Sequence, residues 1–462
     1  MGEEFEYNGI WWLPDKPEKQ VSGILRFTPD EGANLDLIGS FKDTENMNIT
    51  LKPEIILGVS SDGENITLHK CLETRSTIGL QGFQTSSRFS AKLVFVGVHF
   101  QTSEDINFKS ISVHYLYLDE WVNISGFDIE SAGKKEVIIK YKLPEPFQAE
   151  ISSGFKISIN FRAAQRSFSF VPKEVTIKQN TEIKIETSEE KLFEDFREIM
   201  YHIQNFLTLG TTKPVYPLTI TGLTEVNKKI IEDKVYYPTV KIFYQLSDIP
   251  KRHKIFFPND MLFTFKDISD RFELLLKNWF EKKDFLEPVC NLYFGTFYNP
   301  RMYIEDQFLS LIQSIESFHR CTFEGKYLPD EDYKEVYDTL LKAIPEGVGS
   351  ELKDRLMEYL KYGNEFSLRK RLKEIFEEYK EILDKFIENK KDFIEKVVNT
   401  RNYFTHHGME LKEHAASGED LYHLTQKLRM CLEICLLTEI GFSSEEIKVL
   451  ISKNNRYKQY FT

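Results

Sequence analysis

The sequence predicts a multidomain α and β protein: an N-terminal antiparallel β-sandwich-like domain, a mixed connector and a C-terminal all-α helical bundle. Short runs of β-formers separated by turn residues fill the chain up to about residue 187. From about residue 300 onward, apolar residues recur at helical spacing almost throughout. At 462 residues the chain also exceeds one core, since a domain takes roughly 100–200 residues. The boundaries that follow are 1–187, 188–295 and 296–462.

The β region reads in order as VSGILRF, LDLIGSF, EIILGVS, ENITLHKCLE and AKLVFVGVHF. ISVHYLYLDEWVNISGF, KEVIIKYKL, FKISINFRA, FSFVPKEVTIKQ and EIKIETS then follow. ISVHYLYL and KEVIIKYKL alternate with period two, which turns one face to a core and one to solvent. A large antiparallel sandwich or barrel-like domain fits this pattern. No grouping of side chains in it suggests catalysis, so its expected job is binding or sensing.

The connector opens with SEEKLFEDFREIMYHIQNFLTL, where Leu192, Phe196, Ile199, Ile203 and Leu207 share a helical face behind a carboxylate-rich start. Gly210 is expected to end that helix. Two strand-like runs, PVYPLTITGLT and TVKIFYQLS, come next, and DISDRFELLLKNWFEKKDFLEPVCNLYF reads as helical as far as Pro288. In the third part, IEDQFLSLIQSIESFHR puts Phe308, Leu311, Ile312, Ile315 and Phe318 on one stripe. Later segments, ending with DLYHLTQKLRMCLEICLLTEIGF, extend the pattern to a bundle of about four to six helices.

Composition narrows the function. With 41% hydrophobic and 14% aromatic residues the chain is globular, and its net charge of −12 argues against a surface coated for nonspecific nucleic-acid binding. The acidic opening MGEEFEYNG has no basic segment before an apolar one, and no run spans a bilayer, so a cytoplasmic protein with no membrane contact is expected. The five cysteines lack paired metal spacing and read as reduced thiols, with Cys431 and Cys435 on one helix face of a core. Phosphate-binding glycine loops, HExxH and GxSxG are absent. His69, His99, His114, His202 and His253 are scattered without matching acids and read as structural. The cluster Arg369, Lys370, Arg371 belongs to a charge-dense helix whose simplest reading is a solvated face, with phosphate contact the weaker one.

The stretch VVNTRNYFTHHG, residues 397–408, gathers unlike functional groups at a helix end. Phe393, Ile394, Val397 and Val398 build the helix, and Gly408 is expected to take the left-handed conformation that closes it. His406 and His407 then fall in the last turn, where the helix dipole favours positive charge by roughly 0.3–1 kcal/mol. Imidazole is the side chain best suited to exchange protons near neutral pH. Five residues of spacing nevertheless point Arg401 and His406 about 140° apart on an ideal helix. They converge on one group only if the helix end unwinds or if two chains share the site. A helix end carrying favourable charges, with no catalysis, is the simpler reading of these residues alone.

Arg401-Asn402-Tyr403-Phe404-Thr405-His406 resembles the Arg-polar-x-x-x-His signature of HEPN domains, in particular the ApeA-like branch. IEDQFLSLIQSIESFHR is similar to the first helix of that domain, with Glu316 and Arg320 at the matching positions, and WWLPDKPEKQVSGILRF, LDLIGSF and ILGVSSDGENITLHKCLE resemble the ApeA N-terminal β domain. The resemblance implies a metal-independent endoribonuclease of antiphage defence that needs no cofactor and cuts RNA, with transfer RNA the favoured class. It implies a homodimer formed through the HEPN domain, so that two Arg–His motifs line one cleft, and a phage-encoded trigger. Arg401 and His406 become the catalytic pair, with Asn402 orienting them and His407 in support. Glu316 and Arg320 are expected to brace the bundle as an i,i+4 ion pair, and His319 is a further candidate. The alternative is a non-catalytic ligand-binding or dimerisation scaffold with an inactive HEPN bundle.

Overall fold

The computed structural model describes residues 3–42, 49–77, 85–131, 137–151, 154–166, 175–246 and 256–461; His253 lies outside them. The chain divides into two compact units, residues 1–281 and 282–462.

In the first unit, β1 (Phe5–Leu13), β2 (Lys16–Thr28), β3 (Gly32–Leu37), β4 (Ile55–Ser60), β5 (Asn65–Thr77) and β6 (Ser86–Val96) form a ring in the order β6-β3-β2-β1-β4-β5. The ring closes because β5 also pairs with β6. Every pairing is antiparallel, and closure leaves this part of the sheet without an edge. Trp11, Leu25, Phe27, Leu35, Leu68, Phe89 and Val94 fill the barrel. Gly58 makes room for the Trp11 indole: a Cβ there would sit 2.2 Å from the ring. The indole N–H, which needs a partner once buried, donates to the Gly23 carbonyl at 3.2 Å.

The same sheet continues beyond the barrel through β7 (Asn107–Tyr115), while β8 (Phe127–Ser131) and β9 (Val137–Tyr141) form a separate hairpin. β10 (Phe147–Ile151), β11 (Phe155–Arg166), β12 (Thr176–Leu192) and β13 (Pro217–Leu223) belong to the main sheet. β14 (Lys229–Ile231) and β15 (Lys234–Tyr236) make a second hairpin, and β16 (Val240–Tyr244) joins β13 to β6. The antiparallel β fold expected from the alternating runs therefore takes a barrel form with an open extension. Residues 188–281, read from the sequence as connector, lie in this first unit, with β13 and β16 hydrogen-bonded inside its sheet.

Among the described residues four α-helices complete the unit: α1 (Leu118–Val122), α2 (Phe193–Thr211), α3 (Phe265–Ile268) and α4 (Phe272–Glu281). α2 buries Phe193, Phe196, Ile199, Met200 and Ile203, and the Tyr115 hydroxyl donates to the Met200 carbonyl at 2.9 Å. Gly210 does not end this helix. Thr212 takes the left-handed conformation at φ 52°, and Gly210 serves close packing, since a Cβ on it would lie 2.6 Å from Trp121 Nε1.

The second unit is helical: α5 (Lys283–Tyr298), α6 (Ile304–Thr322), α7 (Asp330–Lys342), α8 (Ser350–Lys361), α9 (Leu368–Glu378), α10 (Lys380–Leu383), α11 (Lys390–His406), α12 (Met409–Lys412), α13 (Gly418–Ile440), α14 (Ser444–Lys453) and α15 (Asn455–Lys458). The four to six helices expected from about residue 300 onward are thus exceeded: three four-residue helices, α10, α12 and α15, and the longer α14 come in addition. Pro288 sits inside α5 rather than at its end. A proline forfeits one backbone hydrogen bond, and burial of Leu286, Val289, Tyr293 and Phe294 around it offsets that loss.

Buried polar contacts tie α5 into this unit. Ser314 Oγ donates to the Val289 carbonyl at 2.8 Å, and the Tyr293 hydroxyl donates to Glu433 at 2.9 Å. Glu433, fully buried on α13, also accepts from the Tyr457 hydroxyl at 2.9 Å and from Arg456. Three donors are what a buried carboxylate requires, and here they join α5, α13 and α15. Cys431 and Cys435 are free and buried, and burial raises both thiols well above their ordinary range. Among the described residues no helix is long and apolar enough to cross a membrane.

Candidate active site at the end of a helix

α11 begins at Asn389, whose side chain accepts from the Asp392 N–H, and buries Phe393, Ile394, Val397 and Thr400 on one face. Thr400 pins the far end: its hydroxyl donates to the Lys396 carbonyl at 2.7 Å and accepts from the Ala416 N–H at 2.8 Å. Phe404, one turn on, meets Phe308 of α6 with ring centroids 6.0 Å apart. With Thr400 and Phe404 turned inward, Arg401 lies at the edge of the buried face and His406 falls outside it.

The structure places Arg401 half-buried and directs it inward. Its Nη2 stands 3.9 Å from Glu316 Oε2 on α6, and its Nη1 donates to Asn402 Oδ1 at 3.2 Å. His406 is exposed and has no side-chain partner among the described residues. α11 stays helical through His406, with the Thr405 hydroxyl bonded to the Arg401 carbonyl at 2.8 Å and the His407 N–H to the Tyr403 carbonyl at 2.7 Å. The helix end therefore does not unwind, and Arg401 and His406 of one chain do not meet.

Two details differ from expectation. The left-handed residue that closes α11 is His407, at φ 50°, and Gly408 instead caps α12 with φ −65°. An L-residue there carries the strain glycine would avoid, and the His407 ring lies edge-on to Tyr403 at 5.9 Å. Glu316 and Arg320 also take other partners than each other. Arg320 Nη1 pairs with Glu365 at 2.7 Å, which leaves Glu316 to face Arg401. The segment before α9 supplies Glu365, and so outcompetes a pairing along α6.

His319 lies behind this arrangement, fully buried on α6 and stacked on Phe323. Arg371 Nη1 donates to His319 Nδ1 at 2.9 Å, and His319 Nε2 faces Glu374 Oε2 at 2.8 Å. Arginine only donates, so Nδ1 must accept and the single ring proton sits on Nε2, donated to Glu374. Burial, with the Arg371 charge beside it, lowers the His319 basicity against the opposing pull of Glu374. His319 is therefore a neutral clamp between α6 and α9, away from solvent. Thr400, Glu365 and Glu374 complete this support. Nothing in their spacing marks them in the sequence, because their partners come from other segments.

An antiparallel β unit followed by a helical unit, with an Arg-x4-His helix end, is the two-part arrangement that the HEPN resemblance led one to expect. ApeA N-terminal domain 1 matches residues 6–279 and Apea-like HEPN matches residues 309–446. The first match alone spans more than half of the chain, and the chain belongs to this ApeA family. Both matches fall within the two structural units, and the second contains Glu316, Arg371, Arg401 and His406. It suggests a HEPN nuclease of the antiphage-defence type. No curated protein and no solved structure matches the chain.

The His319 clamp has a pH signature. An unfolded histidine takes up its proton near ~pH 6.5, whereas the buried His319 does so at lower pH. Its contribution to stability is thus complete above that value and falls as the pH drops through it. Denaturant midpoints at about pH 7.5 and about pH 5.5 should drop less in His319→Gln, whose amide accepts from Arg371 and donates to Glu374 without titrating. An equal drop in both proteins would show that His319 does not titrate on unfolding.

Proposed function

We propose that the protein is a metal-independent endoribonuclease in which two copies bring Arg401 and His406 to one RNA phosphate. The observation that carries this reading is the unbroken turn of α11, which separates the two side chains within one chain while leaving His406 exposed. A second copy supplies the missing half of each site.

In the reaction, His406 takes the proton from a ribose 2′-hydroxyl as the 2′-oxygen attacks the adjacent phosphorus. The bond to the 5′-oxygen breaks, and His406 of the partner subunit gives that oxygen a proton. The products are a 2′,3′-cyclic phosphate and a 5′-hydroxyl. Arg401 holds the phosphate oxygens as charge builds on them, a task suited to its rigid fork of donors. Asn402, already bonded to Arg401, orients it. The 3.9 Å gap between Arg401 and Glu316 is a charge contact without a full hydrogen bond, so the guanidinium is held in place yet free to bond a phosphate. His407 lies next to the site and supports it. Transfer RNA is the favoured substrate.

A ribonuclease that acts without restraint kills its host, and the β unit is the natural restraint, released by a phage component. The sheet runs through β16 at residue 244, so the cut that respects the fold lies at 281/282, not at 187.

Two experiments test the proposal. Purified protein incubated with total RNA in chelator should leave cyclic-phosphate ends and spare DNA, while Arg401→Ala and His406→Ala each slow cleavage by ~10²–10³-fold. Cleavage by both variants at the wild-type rate would remove these residues from the site. A chain comprising residues 282–462, checked for folding by circular dichroism, should cut faster than the full chain, and a folded but slower fragment would count against restraint.

A further inference from the structure

α7 and α8 form a two-helix arm in which no residue is buried. Its inner seam is made by Tyr333, Tyr337, Leu341, Leu356 and Leu360, all partly covered. A second stripe remains outside. Val336 and Leu340 are 41% and 43% exposed on α7, one turn apart, and Leu352 and Tyr359 are 54% and 62% exposed on α8, two turns apart. Isolated helices of 12 to 13 residues are marginal in water, so an arm with an open apolar stripe lacks its packing partner.

The neck of the arm is firmly held. Buried Asn364 exchanges hydrogen bonds with the backbone of Leu328 at 2.8 and 2.9 Å, and the Phe366 N–H donates to the Gly325 carbonyl at 2.9 Å. Gly325 has φ 69° and packs against Arg371: a Cβ there would lie 2.8 Å from Nη1. The arm thus has a fixed root on the buried His319–Arg371 cluster.

Beside this root lies a groove of about 950 Å³ between α9 and the start of α11. Phe323, Phe366, Phe376 and Ile394 are among its apolar lining. Six lysines and arginines line it against four glutamates, a net positive lining; Arg369, Lys373 and Lys391 have no carboxylate partner among the described residues, and Glu324, Glu377 and Glu378 no cation partner. Glu374 is held by His319 and Lys370. The arm carries the opposite sign: between Asp330 and Lys361 nine carboxylates face five cations, and Glu331, Asp332, Glu335 and Asp338 on α7 are unpaired among the described residues. The groove offers an acidic amphipathic helix an apolar lining and a net positive charge.

We propose that the α7–α8 arm of one copy seats its outer stripe in the groove of a second copy, and the reverse, forming a reciprocal clasp. The two-fold arrangement makes each contact twice, as closed dimers do. That the clasp serves catalysis rests on the two-copy reading above; the clasp itself stands on the arm and the groove.

The test uses the full chain carrying His406→Ala, with mass measured by sedimentation. This chain should be a dimer. An arm variant, Leu340→Glu with Tyr359→Glu, and a groove variant, Lys373→Glu with Lys391→Glu, should each weaken self-association about tenfold or more with unchanged circular dichroism. Because each mixed pair keeps one intact arm and groove, combining the two variants should restore pairing in part. A monomeric parent chain, or a dimer indifferent to both variants, overturns the clasp. Dimers that persist while the groove variant loses RNA binding overturn it as well, and give the groove to RNA. Cleavage is scored separately on chains with His406, so a clasp without cleavage would refute only the ribonuclease, and cleavage without a clasp only the clasp.

Discussion

α11 turns by about 100° per residue without a break as far as His406, and the shape of the site follows from that regularity. Arg401 must lie at the edge of the face that carries Val397, Thr400 and Phe404, and His406 must point away from it. The buried Thr400 hydroxyl, bonded both to the helix and to the Ala416 N–H, fixes the rotation of the last turns. Arg401 is consequently turned toward Glu316 and the bundle, while the imidazole is presented to solvent. The proposed site, assembled from two chains, would reconcile the two directions without straining either helix.

The support beneath this helix is polar rather than purely apolar. His319, Arg371 and Glu374 form a closed donor–acceptor chain between α6 and α9, in which the tautomer of the histidine is dictated by an arginine that only donates. Glu433 does the same for α5, α13 and α15 with three donors. Unpaired, Arg371 or Glu433 would cost the bundle the desolvation of a buried charge. Satisfied, they specify one packing of the helices, and so one placement of Glu316 opposite Arg401.

Much of this architecture was legible in the sequence. Alternation with period two in ISVHYLYL marked β7, and the stripe Phe308, Leu311, Ile312, Ile315, Phe318 marked α6, because apolar residues recur at the period of each element; that β7 is covered on both faces did not show. The helix carrying Arg401 and His406, and their divergence on it, followed from spacing alone. Closure of the barrel did not, since pairing of β5 with β6 is a long-range register that no local pattern encodes. Neither did the membership of residues 188–281, whose strands β13 and β16 look short and isolated until β7 and β6 flank them. Around the site, the choice of Glu365 over Glu316 as the Arg320 partner depended on a segment 45 residues away in the chain, which i,i+4 counting cannot anticipate.

The central claim is that Arg401 and His406 act across two chains. It is tested most directly by mixing the full-length wild type with an excess of full-length His406→Ala and measuring RNA cleavage per wild-type chain. Each mixed pair keeps both Arg401 side chains but only one His406, so base and acid are no longer both present. The account predicts that cleavage per wild-type chain falls as mixed dimers replace wild-type ones. Mixed dimers that form while cleavage per wild-type chain stays constant would place a complete site in a single chain and contradict it.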